Sequence, residues 1–335
     1  HFMKLILAPM ATLTHQALRK TVANFGGVDE YYTEMINASS LLHGGSFEKY
    51  YILNDVEPEK TVWQLTGDEE NPLAEAAAVV KDCGGIGIDI NMGCAAPAIY
   101  KYGAGISWML KPVSETSSML SAVKNAIGEK RLSVKIRLGD EDFTMEKLFA
   151  FADMLVGEGV SQIVLHPRTK KEKYTRPPKY NLLNEFCQYV KENHAGVSVI
   201  GNGGVRDVAS YNKLLSVAPN LDGIMIGRAA VEKPWIFAEL KKSEKVFEAA
   251  GEELETEIDL YQVAEGFLED LCQFQPKEFY PTRAKRFFEY FIDNFFFGHS
   301  LKAKIQNTDE KSEQLQLLKE YLERNPQERY KRVRV

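Results

Sequence analysis

The sequence predicts an α/β fold, a (β/α)8 TIM barrel followed by a C-terminal all-helical domain, and three observations predict it. Short β-branched runs alternate with longer segments of helical period through the first two thirds of the 335 residues. Eight such strand and helix units suit the usual size of this barrel. From about Glu244, Glu, Lys, Leu and Phe dominate and strand-like runs disappear. We therefore predict a barrel over residues 1–243 and a helical domain over residues 244–335.

The predicted strands are β-branched runs that end at Gly, Pro or Asn. They are Leu5–Pro9, Glu30–Thr33, Thr61–Leu65, Ile86–Ile90, Leu132–Arg137, Gln162–Leu165, Val197–Gly201 and Gly223–Ile226. The predicted helices are Asn71–Cys83, Val113–Ile127, Thr144–Gly157, Asn181–Asn193, Asp207–Ala218, Ile258–Cys272, Pro281–Phe297 and Thr308–Arg324. We interpret the acidic segment Gly251–Asp259 as a solvated connection or helix face. A doubly wound open sheet is the alternative fold, but no G-x-G-x-x-G motif follows the first strand.

Composition excludes several classes of protein. A chain that is 44% hydrophobic and 26% charged can bury a large core, which excludes intrinsic disorder. The absence of an apolar stretch of transmembrane length predicts a soluble, cytoplasmic protein with no membrane partner. A net charge of -6 excludes a uniformly basic nucleic-acid coat but permits a local basic patch. The four cysteines lack a C-x-x-C pair, which disfavours a disulfide scaffold and a metal site.

Polar residues follow the predicted strands at their C-terminal ends, where barrels of this kind carry their chemistry. The candidate residues that share this placement are Pro9, Met10, Ala11, Gln64, Asn91, Cys94, Lys135, His166, Arg168, Asn202, Gly203, Gly204, Gly227 and Arg228. Because the strand ends meet at one mouth of a barrel, we expect these residues to form one site.

Several of these residues indicate a site for an anion. The glycine-rich turns after the seventh and eighth strands expose backbone N–H groups that favour phosphate, and Arg228 adds a charged donor. The alternative is that these glycines only make tight turns. Lys135 lies in an apolar strand, where its charge needs an anionic ligand or a buried salt bridge. A ligand contact is favoured for His166, which stands beside Arg168, and Gln64 offers a donor and an acceptor to a flat heterocycle.

Cys94 follows Asn-Met-Gly at the end of the fourth predicted strand. A thiol in such a loop acts as a nucleophile or as a general acid, and the alternative is an inert small hydrophobic residue. We give the inert interpretation to Cys83, Cys187 and Cys272. A cysteine-protease site is disfavoured because no His and Asn arrangement accompanies Cys94.

In their order and spacing, these motifs resemble the dihydrouridine synthase family, FMN-dependent enzymes that reduce uridine in tRNA. The matching segments are Ala8-Pro9-Met10-Ala11, Gln64-Leu65-Thr66-Gly67, Asp89-Ile90-Asn91-Met92-Gly93-Cys94, Gly103-Ala104-Gly105, Val134-Lys135-Ile136-Arg137-Leu138-Gly139, His166-Pro167-Arg168-Thr169, Gly201-Asn202-Gly203-Gly204 and Ile226-Gly227-Arg228. The family fold, a flavin-binding barrel with a C-terminal helical domain, agrees with the fold predicted above.

The resemblance implies that NADPH reduces FMN, that hydride passes from flavin N5 to C6 of uracil, and that Cys94 protonates C5. It implies that residues 1–243 bind FMN and catalyse the reaction, and that residues 244–335 bind RNA. The residues that it implies for the cofactor are Pro9, Met10, Ala11 and Gln64 beside the isoalloxazine, Lys135 and His166 on the flavin, and Asn202, Gly203, Gly204, Gly227 and Arg228 on the phosphate. Asn91 and Arg168 are implied to face the uridine or its ribose-phosphate, and the target base must leave its stack.

The chain departs from the usual family pattern after Gly105, where Ile106-Ser107-Trp108-Met109-Leu110 replaces the common Ser-Ala-Leu-Leu, and at four single positions near these motifs. Ala95 stands where Pro is usual and Ala98 where Lys is frequent. Pro167 replaces a usual Gly or Ala, and Gly204 replaces a frequent Asp. These positions cluster on the side of the flavin where the resemblance places the substrate.

Two basic clusters favour RNA as a partner, although a solvated cationic face is the alternative. The cations are Lys277, Arg283, Lys285, Arg286, Arg329, Lys331, Arg332 and Arg334. The interleaved aromatics Phe279, Tyr280, Phe287 and Phe288 are predicted either to stack on bases or to pack in the helical core. Two further functions stay open, a flavin-dependent barrel oxidoreductase acting on a small molecule and a catalytically idle RNA-binding relative.

Overall fold

The computed structural model describes residues 3–246 and 255–335. The described residues fall into two compact units. One contains residues 3–9, Asp29–Val205 and Ala209–Ile226, and the other contains Met10–Val28, Arg206–Val208, 227–246 and 255–335. The boundary between residues 243 and 244 stays a prediction. No helix within the described residues is both long and apolar enough to cross a membrane.

The first unit is a closed barrel of eight parallel strands within the described residues, with helices between the strands, which confirms the predicted TIM barrel. The strands of this unit are β1 (Lys4–Leu7), β2 (Glu30–Tyr32), β3 (Ile36–Asn37), β4 (Thr61–Thr66), β5 (Gly87–Met92), β6 (Arg131–Arg137), β7 (Val160–His166), β8 (Ser198–Asn202) and β9 (Gly223–Ile226). The ring closes because β1 pairs with both β2 and β9 and β2 pairs with β4, while β3 only extends the sheet beside β4.

Helices follow most of the strands and also build the second unit. They are α1 (Gln16–Ala23), α2 (Ala38–His43), α3 (Glu70–Lys81), α4 (Pro97–Tyr100), α5 (Ser107–Leu110), α6 (Val113–Ile127), α7 (Met145–Gly157), α8 (Tyr180–Asn193), α9 (Val208–Val217), α10 (Arg228–Glu232), α11 (Ile236–Val246), α12 (Leu260–Phe274), α13 (Tyr280–Phe291), α14 (Gly298–Gln306) and α15 (Lys311–Arg324). Side-chain caps start several of them, because the first backbone N–H groups of a helix need acceptors. The Thr144 hydroxyl accepts from Lys147 N at the start of α7, and the Asn37 side chain accepts from Ser40 N at the start of α2.

The barrel core follows from the two-residue period of the strands, which places alternate side chains on one face. A buried apolar cluster unites residues from different strands: Ile6, Ala8, Tyr32, Val62, Val164, Ile200 and Met225. On β6 the same alternation places Ser133 and Lys135 on one face and Leu132 and Val134 on the other. The barrel interior therefore carries polar residues as well as apolar ones.

The second unit is mainly helical, but it also contains a two-stranded antiparallel sheet of β10 (Thr256–Asp259) and β11 (Tyr330–Val333). The expectation that strands disappear after Glu244 was therefore wrong. The first part of the acidic segment Gly251–Asp259, up to position 254, lies outside the described residues. The rest of the segment is largely strand β10, not a connection or a helix face.

The predicted helix Pro281–Phe297 extends too far, and the helix α14 that follows it was not predicted. Helix α13 ends at Phe291, a 3-10 turn covers Ile292–Asn294, and α14 begins at Gly298. A Cβ on Gly298 would lie 2.5 Å from the Ile292 carbonyl oxygen. This turn therefore needs the close approach that glycine allows.

The aromatic residues of α13 pack in the core of the second unit. The Phe287 ring stacks on Phe267 with centroids 3.9 Å apart and on Phe291 at 4.8 Å. Phe287 and Phe288 are fully buried, and buried Tyr280 donates its hydroxyl to Gln314 Oε1. Phe287, Phe288 and Tyr280 thus have the core role, and the prediction that they stack on bases was wrong.

Candidate active site

Strand register brings three interior side chains into one row across the barrel. Gln64 of β4 is the register partner of Asp89 of β5, and Asp89 is the partner of Ser133 of β6. One step nearer the C-terminal strand ends, Asn91 is the partner of Lys135. Each pair lies on adjacent parallel strands, so the side chains of one row are direct neighbours.

A chain of hydrogen bonds joins these residues. The Asp89 carboxylate accepts from Gln64 Nε2 at 2.9 Å and from the Ser133 hydroxyl at 2.7 Å. Gln64 Oε1 accepts from Asn91 Nδ2 at 3.1 Å. Asn91 Oδ1 in turn accepts from the backbone N–H of Gly93 at 3.2 Å and of Cys94 at 2.9 Å. All four of these side chains are buried, and Gln64, Asp89 and Ser133 have no exposed surface.

Burial raises the pKa of Asp89 to about 6, although hydrogen bonds from Gln64 and Ser133 and the charges of Lys135 and Arg131 act in the opposite direction. Since this pKa still lies below 7, the carboxylate is the predominant form at neutral pH. An ionised carboxylate only accepts hydrogen bonds, which fixes both neighbours as donors.

Cys94 is half-buried and begins a loop whose two ends are joined by a backbone hydrogen bond. Its carbonyl oxygen accepts from Ile106 N at 3.0 Å. Gly105 has φ +60, and a Cβ there would lie 2.5 Å from the Cys94 carbonyl oxygen. Asn91 therefore holds one end of this loop through its side chain, and the other end requires glycine.

Lys135 projects from β6 on the same face as Ser133. Within the described residues its ammonium group forms neither a hydrogen bond nor a salt bridge at contact distance. Burial, together with the nearby charge of Arg137, lowers the pKa of Lys135 to about 8, while Asp89 acts to raise it. The buried salt bridge considered for Lys135 is thus not formed, and its cation is available to an anionic or strongly accepting ligand.

His166 and Arg168 interact with each other. The Arg168 guanidinium Nη1 lies 2.7 Å from His166 Nε2, and since a guanidinium only donates, Nε2 is the acceptor. Neutral His166 consequently carries its proton on Nδ1. The other Arg168 nitrogens donate to the carbonyl oxygens of Arg176 and Tyr174, and the residue is only 3% exposed. Its predicted position against the uridine stays a prediction.

The turn after β8 lies beside this pair. Asn202 donates from Nδ2 to the Met225 carbonyl at 3.1 Å, and Gly203 follows with φ +119. A Cβ on Gly203 would lie 3.2 Å from His166 Cδ2, so the turn and the imidazole are in close contact. At Gly204, with φ +80, a Cβ would lie 2.5 Å from the hydroxyl of Tyr180, which itself donates to the Gly203 carbonyl. The position of the Tyr180 hydroxyl therefore leaves no room for a side chain at position 204.

The remaining predicted residues are placed as follows. Pro9 directly follows β1 and is half-buried. Met10 and Ala11 belong to the second unit, where the Met10 backbone N–H donates to the Thr14 hydroxyl at 2.9 Å. Gly227 and Arg228 also belong to that unit, and Arg228 is exposed at the start of the five-residue helix α10. Their cofactor roles stay predictions.

Sequence reasoning gave no role to Asp89 and Arg137, although both stand inside the quoted motifs. Arg137 Nε donates to the Gly93 carbonyl at 2.9 Å, and its Nη1 donates to Thr169 and Glu172 carbonyls, which ties the loops after β5 and β7 together. A signal exists in the strand period, since Asp89 and Asn91 share one face, as do Lys135 and Arg137.

Among the described residues no cluster of three or more His, Cys, Asp or Glu side chains forms a metal-binding group. Polar and charged groups instead gather at the C-terminal ends of barrel strands, which is where barrel enzymes carry their active sites. Fold and site thus define a TIM-barrel enzyme.

The family model for dihydrouridine synthase matches residues 6–326. The chain belongs to the dihydrouridine synthase family, which confirms the predicted resemblance and enzyme class. It is 30% identical over 246 residues to a probable tRNA-dihydrouridine synthase of Aquifex aeolicus, covering 72% of this chain and 74% of the relative. It is 31% identical over 239 residues to tRNA-dihydrouridine synthase B of Pseudomonas putida, covering 71% and 67%.

The similarity to solved structures is lower. Morphinone reductase in complex with tetrahydroNAD has a TM-score of 0.49 and 11% identity, over 75% of this chain and 88% of that protein.

Proposed function

We propose that the protein is an FMN-dependent tRNA-dihydrouridine synthase that reduces the C5=C6 bond of uridine in tRNA with NADPH as electron source. The observation that carries the proposal is Cys94, held by Asn91 on a loop at the mouth of a barrel that belongs to this family. The relatives named above are a probable tRNA-dihydrouridine synthase and tRNA-dihydrouridine synthase B, which supports tRNA as the substrate.

The residues of the barrel unit fit a flavin. Lys135 offers a cation that has no partner within the described residues, and such a group suits the electron-rich edge of an isoalloxazine. His166 lies against the Gly203 turn, where positive φ angles at Gly203 and Gly204 leave backbone in place of side chains. We propose Lys135 and His166 as flavin contacts and Asn202, Gly203 and Gly204 as phosphate contacts. FMN held by these residues would, once reduced by NADPH, supply the hydride that C6 of uracil takes up.

The residues of the protein supply the proton and the orientation. Cys94 Sγ gives its proton to C5, and solvent reprotonates the thiolate after the product leaves, so NADPH, one proton and uridine yield NADP+ and dihydrouridine. Asn91 positions Cys94 by accepting its backbone N–H. We propose that Asn91 and Arg168 also face the substrate nucleotide.

The test follows the absorbance of the purified protein after reconstitution with FMN. We expect flavin absorbance that bleaches when NADPH is added without oxygen and recovers when unmodified tRNA is added. The control is tRNA that already carries dihydrouridine at every target position, and with it the flavin absorbance should not recover. Bleaching that tRNA does not reverse would favour a barrel oxidoreductase acting on a small molecule, and failure to bind FMN would overturn the cofactor assignment.

A further inference from the structure

Asp89 lies at the origin of the hydrogen-bond chain that ends on Cys94. Its carboxylate has no exposed surface and accepts from Gln64 on one side and Ser133 on the other. No described contact joins Asp89 to Cys94 directly, because Gln64 and Asn91 lie between them.

Asp89 determines which atom donates and which accepts in each hydrogen bond between it and Cys94. A carboxamide has an acceptor end and a donor end, so fixing one end fixes the other. Because Asp89 only accepts, Gln64 must turn Nε2 towards it and Oε1 towards Asn91. Asn91 must then donate from Nδ2 to Gln64, which leaves Oδ1 as the acceptor for Gly93 N and Cys94 N.

The opposite orientation is costly at each step. If Gln64 turned its amide over, Nε2 would meet Asn91 Nδ2, and two donors would face each other in a buried site. If Asn91 then turned as well, its Nδ2 would face the N–H groups of Gly93 and Cys94. The Cys94 loop would lose the side-chain acceptor at its start.

We propose that Asp89 is a positioning residue that orients the Gln64 and Asn91 amides and thereby holds the Cys94 thiol in place for the reaction. The functional half of this inference rests on the proposed acid role of Cys94, whereas its structural half does not. Asp89 acts only through Gln64 and Asn91 and touches no reacting atom.

The experiment measures how fast each cysteine of the full-length protein is alkylated by iodoacetamide, with peptides quantified by mass spectrometry. Exposed Cys272 serves as the internal reference for reagent activity. Asp89→Leu removes the acceptor at similar volume, and we expect the alkylation rate of Cys94 to change by about fivefold or more, the scale of one lost buried hydrogen bond. Flavin content should stay the same, while kcat should fall more than KM changes.

Two matched variants separate the role of Asp89 from general damage. Asp89→Asn keeps an acceptor for Gln64, because the Ser133 hydroxyl can rotate and accept from the new amide, so Cys94 should react as in the wild type. Ser133→Ala removes the other partner of Asp89, which lies outside the path to Cys94, and should also leave Cys94 unchanged. Gln64→Met breaks the path after Asp89 and should reproduce the effect of Asp89→Leu.

The outcomes are distinct. A folded Asp89→Leu variant with wild-type Cys94 reactivity would overturn the proposal, and so would an equal effect of Ser133→Ala. If Asp89→Leu melts below the assay temperature, Asp89→Ala removes the same acceptor without added bulk and is judged by the same criterion. An altered Cys94 reactivity with unchanged turnover would uphold the structural half and place the failure in the proposed acid role of Cys94.

Discussion

Cys94 is the residue on which the proposed chemistry depends. Replacing it with Ala removes the Sγ proton but leaves its backbone N–H to Asn91 in place. We expect the Cys94→Ala variant to bind FMN like the wild type, to be reduced by NADPH, and to lose about 100-fold or more in the rate of uridine reduction, the lower range for one general acid. Single-turnover reoxidation by unmodified tRNA measures this rate.

Cys272→Ala is the matched control for Cys94→Ala, because Cys272 is an exposed cysteine of the second unit. Its turnover should equal that of the wild type. Unchanged turnover in Cys94→Ala would remove Cys94 from the acid role.

Lys135 supplies the positive charge that we propose contacts FMN. Lys135→Met retains the aliphatic bulk but removes the cation, and we expect a loss of about 10- to 100-fold in FMN affinity, the scale of a hydrogen bond to a charged group. Since burial lowers the Lys135 pKa to about 8, wild-type affinity should fall as the pH rises above about 8, where the free protein loses this charge. The variant should lack this pH dependence.

Flavin fluorescence titrations between pH 7 and pH 9 compare the wild type with Lys135→Met. Lys147→Met is the control, since Lys147 is an exposed lysine paired with Asp142. An affinity for FMN in Lys135→Met equal to that of the control would contradict a flavin contact at Lys135.

Gly204 illustrates how a departure from the family pattern is accommodated. A Cβ there would meet the Tyr180 hydroxyl at 2.5 Å and Pro178 Cγ at 3.0 Å, and φ is +80. We expect Gly204→Ala to lower the free energy of unfolding by about 2 kcal/mol or more, from the left-handed backbone and the clash together.

Gly196→Ala controls for backbone conformation alone, because Gly196 has φ +87 and no atom within 4 Å of its added Cβ. Urea unfolding should show a smaller loss there, and Tyr180→Phe should reduce the loss caused by Gly204→Ala. Equal losses for Gly196→Ala and Gly204→Ala would show that Tyr180 does not determine this position.

At the scale of elements, the eight barrel strands were predictable because each is a short β-branched run followed by a turn residue. Helix α6 was predicted with its observed bounds. The break between α13 and α14 was not predicted, because the run Phe295–Phe297 continues the apolar pattern of α13. The sheet of β10 and β11 pairs segments more than 70 residues apart, and local pattern carries no signal for such pairing.

The site was predictable at the level of which residues follow the strands, but not at the level of their partners. That Gln64, Asn91 and Cys94 share an end of the barrel follows from strand order. That Asp89 bonds to both Gln64 and Ser133 depends on the register of three strands, which the sequence does not specify. The burial of Phe287 and Phe288 likewise depends on which face of α13 packs against other helices.

Helix α1 carries a pH-dependent element in the second unit. His15 caps this helix with a side chain that accepts from Leu18 N, and it is 1% exposed. Its Nε2 has no hydrogen-bond partner among the residues that the structure describes. Burial, followed by the charges of Arg283 and Arg19, holds the pKa of His15 well below 6.5. Protonation of His15 therefore favours the unfolded state. The contribution of neutral His15 to the free energy of unfolding is fully present above about pH 6.5. It decreases as the pH falls below that value, by at most about 1.4 kcal/mol per pH unit.

His15→Asn retains an N-cap acceptor but cannot be protonated. We expect it to show a smaller loss of stability between pH 7.5 and pH 5 than the wild type, measured by urea unfolding. His43→Asn is the control, because His43 is exposed and should leave the wild-type pH dependence intact. An identical pH dependence in His15→Asn would show that other groups cause it.

At the scale of the whole molecule, the second unit draws on both ends of the chain. Lys20 of α1 pairs with Asp270 of α12 at 2.7 Å, and the rings of Phe25 and Trp235 meet edge to face. The partners of the first pair are 250 residues apart in sequence, so composition alone gave no sign that Met10–Val28 belongs with the C-terminal helices. The barrel unit by itself carries Cys94, Lys135 and the Asn202–Gly204 turn.

The most direct test of the proposed function is the identity of the product. Unmodified tRNA is incubated with the FMN-loaded protein and NADPH, digested to nucleosides, and analysed by mass spectrometry against authentic dihydrouridine. The proposed function predicts dihydrouridine, heavier than uridine by two hydrogens, whose formation requires NADPH and is greatly slowed in the Cys94→Ala variant. Stoichiometric NADPH consumption on a small-molecule acceptor, with no dihydrouridine in the RNA, would contradict it.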